Sequence, residues 1–399
     1  MSKEIYICIF IFGILLLLSS CKKPYVPPAI TASSSLLVVD GNINTGTDST
    51  IVRLTHTIPL SSPAGTVSPP ELNATVTVES TQNTEYPLAE TGNGYYRAVG
   101  LNLSSANQYK LKIVTSAGKV YESDFVQVKN SPPMDSVSYQ TQSASLSINV
   151  TTHDPSNSSR YYRWDYNETW IIHSKYDSKL ELQTDPVDSI VVRDPANQIY
   201  TCWQSDVSSD IVLGSTAKIS DDILINYPVA IIPSTSEKLA ERYSILIKQY
   251  AMTPDAFNYY QELRKNTESL GTIFDPQPTS LKGNIHCTTS PSEQVIGYIT
   301  AGSVSQARIY VNGRQLPANA NWIPSLPYFD CDFESPVYNP NPKYPFSVAE
   351  YLYTGILTPI ATLQTPGAPH PFGYTGATPI CVDCRLRGTN KPPAFWTNQ

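Results

Sequence analysis

The sequence predicts a mainly β fold: an N-terminal immunoglobulin-like β-sandwich, then a larger β-rich domain with one inserted helix and a long Pro-rich C-terminal loop. Three observations carry this expectation. Short runs with period-two alternation of apolar and polar residues recur along most of the chain. Only one stretch has helical spacing. The composition, with 26 Tyr and 33 Pro among 399 residues and 15% charged residues, favours strands and turns over helices. At roughly 100–200 residues per domain the length fits two domains, and a 41% apolar content can fill their cores.

Residues 1–20 read as a lipoprotein signal peptide. Lys3 precedes an apolar run over residues 5–18, about 21 Å of helix at ~1.5 Å per residue, against a bilayer core of about 30 Å. That is the length of a secretory h-region rather than of a permanent span. Leu18-Ser19-Ser20-Cys21 follows and is similar to the bacterial lipobox. A thiol at the cleavage junction takes a diacylglycerol thioether, and small residues before it let the peptidase reach the bond. A plain signal peptide with a chance cysteine is the simpler alternative. Lipidation of Cys21 predicts a mature chain anchored to the membrane by its N-terminal lipid, with the folded part outside the cytoplasm. The expected location is the outer membrane, in either leaflet. Residues 21–33, with Lys22, Lys23 and three prolines, form a lipidated, extended tether.

Residues 34–130 form the sandwich. Strand-like runs lie at 36–39, 51–55, 75–78, 95–99, 109–113 and 120–128, separated by turn formers such as Gly92-Asn93-Gly94 and Ser116-Ala117-Gly118-Lys119. Short strands at this density with no helical stretch read as an immunoglobulin-like architecture, without the Cys…Trp…Cys core of antibody domains. Asn130-Ser131-Pro132-Pro133 marks the boundary to the second domain, residues 131–399. Strands resume there at 136–151, 160–172, 190–203, 223–232, 242–251, 294–301 and 306–311. A helix near 254–270 opens on Thr253 as N-cap, Pro254 and Asp255. Its buried stripe is Ala256, Tyr260, Leu263, Thr267 and Leu270, and Gly271 stops it. Residues 317–393 hold 14 of the prolines; their aromatic residues and three cysteines predict an ordered loop wrapped over the second domain.

Cys8 leaves with the signal peptide and Cys21 takes lipid. Cys202, Cys287, Cys331, Cys381 and Cys384 remain as disulfide candidates, and an odd count leaves at least one unpaired within the chain. Pairing Cys331 with Cys381 or Cys384 would close the Pro-rich loop and remove unfolded-state entropy, roughly 4 kcal/mol on the chain-entropy estimate. Cys381-Val382-Asp383-Cys384 also has Cys-x-x-Cys spacing. It lacks the βα context of a redox motif, and His286-Cys287 is the one other local pair that zinc would need.

The formal charge of −7, with no basic block, argues against nucleic-acid binding. The five histidines are scattered, and neither a Gly-x-Ser-x-Gly elbow nor a phosphate-cradling loop is present. Asp221-Asp222 and Asp330-Cys331-Asp332 are paired carboxylates of the kind a glycosidase uses, but neighbouring acidic residues are usually turn or solvated residues. No catalytic residue, metal ligand or cofactor is predicted. In Tyr161-Tyr162-Arg163-Trp164-Asp165-Tyr166 a strand puts Tyr162, Trp164 and Tyr166 on one face and Arg163 and Asp165 on the other; the alternation favours aromatics in the core and polar residues in solvent. Tyr328, Phe329 and Trp396, in the loop and tail, are the candidate aromatic binding residues and are expected to be exposed. Ser49, Ser136 and Ser189 each follow Asp and precede Thr, Val or Ile, which resembles the short O-glycosylation signal of Bacteroidota periplasmic and surface proteins.

Further motifs run in order: Val39-Asp40-Gly41, Arg242-Tyr243-Ser244, Phe274-Asp275-Pro276-Gln277-Pro278, Gly283-Asn284-Ile285-His286-Cys287, Val295-Ile296-Gly297-Tyr298, the Cys-Val-Asp-Cys-Arg of 381–385, and Lys391-Pro392-Pro393-Ala394-Phe395-Trp396. As a set, with the lipobox, they resemble the Bacteroidota envelope lipoprotein family called domain of unknown function 4249. The resemblance implies an envelope lipoprotein, of a kind often encoded beside TonB-dependent outer-membrane receptors, with no established reaction. The expected function is therefore a non-enzymatic, outer-membrane-associated lipoprotein that binds a partner or a glycan or peptide ligand, accessory to a TonB-dependent receptor. A glycan-acting hydrolase and a structural cell-surface module are the alternatives.

Overall fold

Side chains that alternate in and out of a pleated sheet build the first unit. The structure, a computed structural model, describes residues 35–59, 62–63, 65–185, 188–268, 281–328 and 330–397. The signal peptide, Cys21 and the tether lie outside the described residues, as does Phe329. The first strands are β1 (Leu37–Asn44), β2 (Ser49–His56), β3 (Thr75–Ser80), β4 (Glu85–Gly92), β5 (Tyr95–Val99), β6 (Gln108–Val114), β7 (Val120–Ser123) and β8 (Val126–Gln127). β6 shows the rule: Tyr109, Leu111 and Ile113 are buried while Lys110 and Lys112 face outward. β4 carries no period-two signal in the sequence, because Leu88 is its one buried side chain.

The second unit begins with β9 (Met134–Thr141), β10 (Ser145–His153), β11 (Tyr161–His173), β12 (Leu180–Gln183), β13 (Ser189–Val192), β14 (Thr201–Val207), β15 (Val212–Ser215), β16 (Ile223–Pro233), β17 (Arg242–Ala251) and helix α1 (Pro254–Glu268). Thr253 caps α1 by accepting a hydrogen bond from the Ala256 N–H at 3.3 Å. Ala256, Tyr259 and Tyr260 are buried, but Thr267 is exposed and its hydroxyl donates back to the Leu263 carbonyl at 2.9 Å. The expected stripe thus ends a turn early; Leu270 and Gly271 lie outside the described residues. The chain then returns to the first unit as β18 (Ile285–Cys287), β19 (Val295–Gly297) and β20 (Thr300–Gly302), before re-entering the second as β21 (Val304–Asn312).

That return changes the domain division expected from the sequence. Residues 131–399 are not a separate block, because β18, β19 and β20 complete the first sheet. Its path runs β18-β7-β6-β3-β4-β5-β2-β1-β19, with β20 on β1 and β8 on β6, eleven strands in all. The mainly β class holds. The hydrogen-bonded path of this sheet is continuous and nearly closed. β4 turns the corner, pairing with β3 on one side and with β5 on the other across a bulge at Glu90/Gly92. Leu37, Val52, Tyr96, Leu111 and Ile299 meet inside.

The second unit is a four-stranded path β14-β11-β17-β21, with β15 on β11, facing the three-stranded sheet β16-β10-β9. Between them lie Leu146, Ile148, Tyr162, Trp164, Tyr243 and Ile245. Tyr162, Trp164 and Tyr166 point into this core. The Pro-rich region expected as a loop contains α2 (Val348–Tyr351), the hairpin β22 (Thr358–Leu363) with β23 (Gly373–Ala377), and α3 (Pro379–Val382). Two disulfides pin it: Cys331–Cys381 within the region and Cys202–Cys384 back to β14. Cys287 is buried and unpaired. Among the described residues no helix is long and apolar enough to cross a membrane.

Two tests follow from these contacts. Non-reducing peptide mapping should recover Cys202 linked to Cys384 and Cys331 linked to Cys381, with Cys287 alkylated only after unfolding. Replacing Cys331 and Cys381 by Ser, which opens a 50-residue separation, should lower stability to urea by about 4 kcal/mol; an unchanged midpoint would refute the pairing's role. Asp154 supplies a pH test. Burial would raise its carboxyl pKa, but hydrogen bonds from Ser156, Ser158 and Ser159 win and hold it well below the usual range. A lowered carboxylate stabilises above its unfolded pKa of about 3.9 and loses that contribution as pH falls. Asp154→Asn should therefore be less stable than the native chain at pH 7, with the gap closing below about pH 4 in paired denaturation curves.

Candidate functional site

The outer face of the first sheet meets the outer face of β11, β17 and β21 across a cleft of about 360 Å³. Strand register builds each wall. On the first, Asp40 of β1 is opposite Arg53 of β2, which is opposite Tyr95 of β5; Asn42 and Ile51 form the row beside it. On the second, Arg163 of β11, Tyr250 of β17 and Val304 of β21 form one row, and Asp165, Lys248 and Gln306 the next. Period two decides which residues these are. Leu37, Val39, Val52 and Leu54 fill the first core, so Asp40 and Arg53, one position off, must face out.

Two arginines are held on tyrosine rings. The Arg163 guanidinium lies 4.7 Å from the Tyr250 ring centre and 4.4 Å from that of Tyr260 on α1. Its Nη2 donates to the Asp165 carboxylate at 3.0 Å. Burial would lower the Arg163 pKa, but Asp165, the two phenols and Asp40 from the opposite wall raise it above its ordinary value. The Arg53 guanidinium lies 5.2 Å from the Tyr95 ring. This pull towards β5 explains why Arg53 makes no ion pair with its neighbour Asp40 on β1. Gln306 bridges the walls by donating to Asp48 at 2.7 Å.

The charges are thus unevenly committed. Asp165 is taken by Arg163 and Asp48 by Gln306. Among the described residues no ion pair or side-chain hydrogen bond reaches Asp40, Arg53 or Lys248, and the Nε atoms of Arg53 and Arg163 are buried without partners. Groups in two other cavities are largely spent on each other. In the cavity of about 430 Å³, Glu168 accepts from Lys238 at 2.5 Å and from Tyr243 at 2.7 Å, and Tyr166 donates to Asp210 at 2.8 Å. In that of about 440 Å³, His173 pairs with Glu241, and Glu237 with Arg387. A fourth, of about 410 Å³, lies beside the start of α1. Among the described residues no group of three or more His, Cys, Asp or Glu could hold a metal ion.

The residues singled out from the sequence lie mostly elsewhere. Ser49 is half-buried in the cleft wall, its hydroxyl accepting from Arg97 Nε at 2.9 Å. Ser136 is exposed on β9 and Ser189 half-buried at the start of β13. Tyr328 is half-buried: its hydroxyl donates to the His173 carbonyl and accepts from Arg387 at 3.1 Å. Trp396, expected to be exposed, is 8% exposed and boxed in by Trp203, Tyr310 and Arg242. The tail folds back because Arg242 and the aromatic edges offer it a better surface than water does. Asp222 is buried and accepts from Tyr162 at 2.6 Å, a core role, while Asp221, Asp330 and Asp332 are exposed. Arg163 and Asp165, which the alternation of β11 places on a polar face expected in solvent, stand in the cleft instead. The signal that finds them is the same alternation in β1 and β2, once the two outer faces are known to meet.

A model of the family described as Domain of unknown function (DUF4249) matches residues 22–308, and the chain belongs to that family. The match stops short of the 381–396 motifs. A search of curated proteins finds no match.

The stacked Arg163 is open to substitution. Arg163→Gln leaves Asp165 without its cation and should cost about 2–4 kcal/mol in urea unfolding. Arg163→Lys keeps the charge but not the planar fork, and should recover less than half of that loss. Equal stability of all three proteins would show that the clamp contributes nothing.

Proposed function

We propose that this member of the family is an outer-membrane-associated lipoprotein, anchored through Cys21, that binds a ligand and serves a TonB-dependent receptor rather than catalysing a reaction. The observation that carries the binding reading is the cleft, where Asp40, Arg53 and Lys248 stand beside the Tyr95 and Tyr250 rings with no ion pair or side-chain hydrogen bond among the described residues. A site of about 360 Å³ lies at the small end of ligand pockets of roughly 300–1,000 Å³. Tyrosine-stacked arginines suit recognition because they are held in place before a ligand arrives.

The same inventory weighs against the hydrolase alternative. Glycosidic cleavage uses two carboxyl groups as acid and base or nucleophile. Of the three carboxylates lining the cleft, Asp165 and Asp48 are engaged by Arg163 and Gln306, which leaves Asp40. The receptor link comes from the resemblance read in the sequence, and the anchor from the lipobox.

Both have direct tests. Cys21→Ser should move the protein from the membrane fraction to the soluble fraction, and unchanged membrane retention would refute the lipid anchor. Extraction of outer membranes in mild detergent should recover a TonB-dependent receptor with the native protein. Recovery of the protein alone would remove the accessory role.

A further inference from the structure

We propose that the cleft recognises a small zwitterionic ligand of peptide chemistry, its ammonium group on Asp40 and its carboxylate on Arg53 and Lys248. The inference rests on the reading of the cleft as a binding site. It follows from the charge pattern. With Asp165 held by Arg163 and Asp48 by Gln306, the lining leaves one carboxylate, Asp40, and two cations, Arg53 and Lys248, so a ligand of one sign still faces at least one like charge. A neutral sugar would leave Asp40, Arg53 and Lys248 facing hydroxyl groups. A ligand carrying both signs satisfies them together, because like-charge contacts are avoided and each ionic hydrogen bond is a strong one.

The register says how the ends sort. Asp40 and Arg53 stand side by side on the first wall, with Arg53 drawn away over Tyr95. Lys248 stands on the second wall beside Asp165, whose carboxylate is already held by Arg163. A carboxylate between Arg53 and Lys248 closes the gap between the walls, and Asp40 remains for an ammonium. The Tyr95 and Tyr250 rings supply the apolar surface for a side chain between the two ends.

The probe is the tripeptide Ala-Tyr-Ala with free termini, titrated calorimetrically into the full mature chain, beside its N-acetylated form, its C-terminal amide and maltotriose. The free peptide should bind, and each blocked form should bind about tenfold more weakly or worse. Asp40→Asn should abolish the preference over the acetylated form, and Arg53→Gln the preference over the amide. Arg53→Lys should keep the acid preference, which separates charge from a folding defect. Blocked forms binding as tightly as the free peptide, or no binding of the free peptide at millimolar concentration, would overturn the inference. Maltotriose binding that Arg53→Gln destroys would sink the zwitterion while keeping the cleft as a site. If no probe binds and cleft variants leave receptor recovery unchanged, the binding reading falls with it.

Discussion

At residues 302–304 the chain leaves one sheet and enters the other with a single residue, Ser303, between the strands. Gly302 ends β20 opposite Asn44 of β1, and Val304 begins β21 opposite Tyr250 of β17. The outgoing passage lies against it: the Lys129 N–H donates to the Ala301 carbonyl at 2.8 Å and the Ser131 N–H to the Ser303 carbonyl at 3.3 Å. The Asn130 side chain accepts from both Thr45 and the Ser303 N–H at 3.1 Å. A side chain at 302 would put its Cβ 1.8 Å from the Lys129 carbonyl oxygen, so only glycine allows the two passages to touch. Units joined by one linker usually move against each other. Here two passages cross at one point, and the residues on either side of that point, Asn44 and Val304, line the cleft. The spacing of the walls is set by covalent geometry and a few backbone hydrogen bonds.

The second wall is braced from behind. Gln249, fully buried on β17, accepts from the Trp164 indole at 2.9 Å and donates to the Pro132 carbonyl and the Thr152 hydroxyl, each at 3.0 Å. It ties the linker to the strand whose other face carries Lys248 and Tyr250. Further along, Arg242 stacks on Tyr310 and Trp396, and Tyr243 donates to Glu168. The Arg-Tyr-Ser and Phe-Trp motifs are therefore two halves of one packing contact, which closes the C-terminal tail onto the far end of the face of β17 and β21 that also carries Lys248 and Tyr250. Asn284 does the same for the return segment, its side chain exchanging both hydrogen bonds with the backbone of Ile299 at 2.8 and 2.9 Å. Such groups are satisfied inside the protein, whereas among the described residues no ion pair or side-chain hydrogen bond reaches Asp40, Arg53 or Lys248.

What the sequence made legible was local. Strict alternation located β3, β6, β11 and β17, because each buries one face, and the cap and Pro254 located α1. β4 escaped because one buried leucine leaves no period to read. The role of residues 285–302 escaped for a different reason: pairing Asn42 with Thr300 joins residues more than 250 positions apart, and no local signal distinguishes a strand that stays from one that returns. The cleft was hidden by the same gap. Asp40, Arg163 and Asp165 obey the rule that polar residues face away from the core, and that rule cannot say whether the outside is water or another sheet. Trp396 is the converse case: nothing near it in the sequence covers it, yet Trp203, Tyr310 and Arg242 bury it.

The tyrosines are what make the cleft more than a place where two polar faces meet. A buried guanidinium paired with a carboxylate is held, but its charge is spent; one left in water keeps its charge but not its position. A ring face offers a third arrangement, since the attraction of the π-system orients the cation without neutralising it. Arg53 over Tyr95 is of this kind, and Arg163 between Tyr250 and Tyr260 combines it with one ion pair. Tyr260 comes from α1, so the helix that interrupts the β succession also fixes the deepest cation of the site. That gives the helix a reason to stand where it does, between β17 and the return strand. Its Tyr260 ring holds the Arg163 guanidinium, and the low-entropy tyrosine frame lets a ligand meet charges already in place.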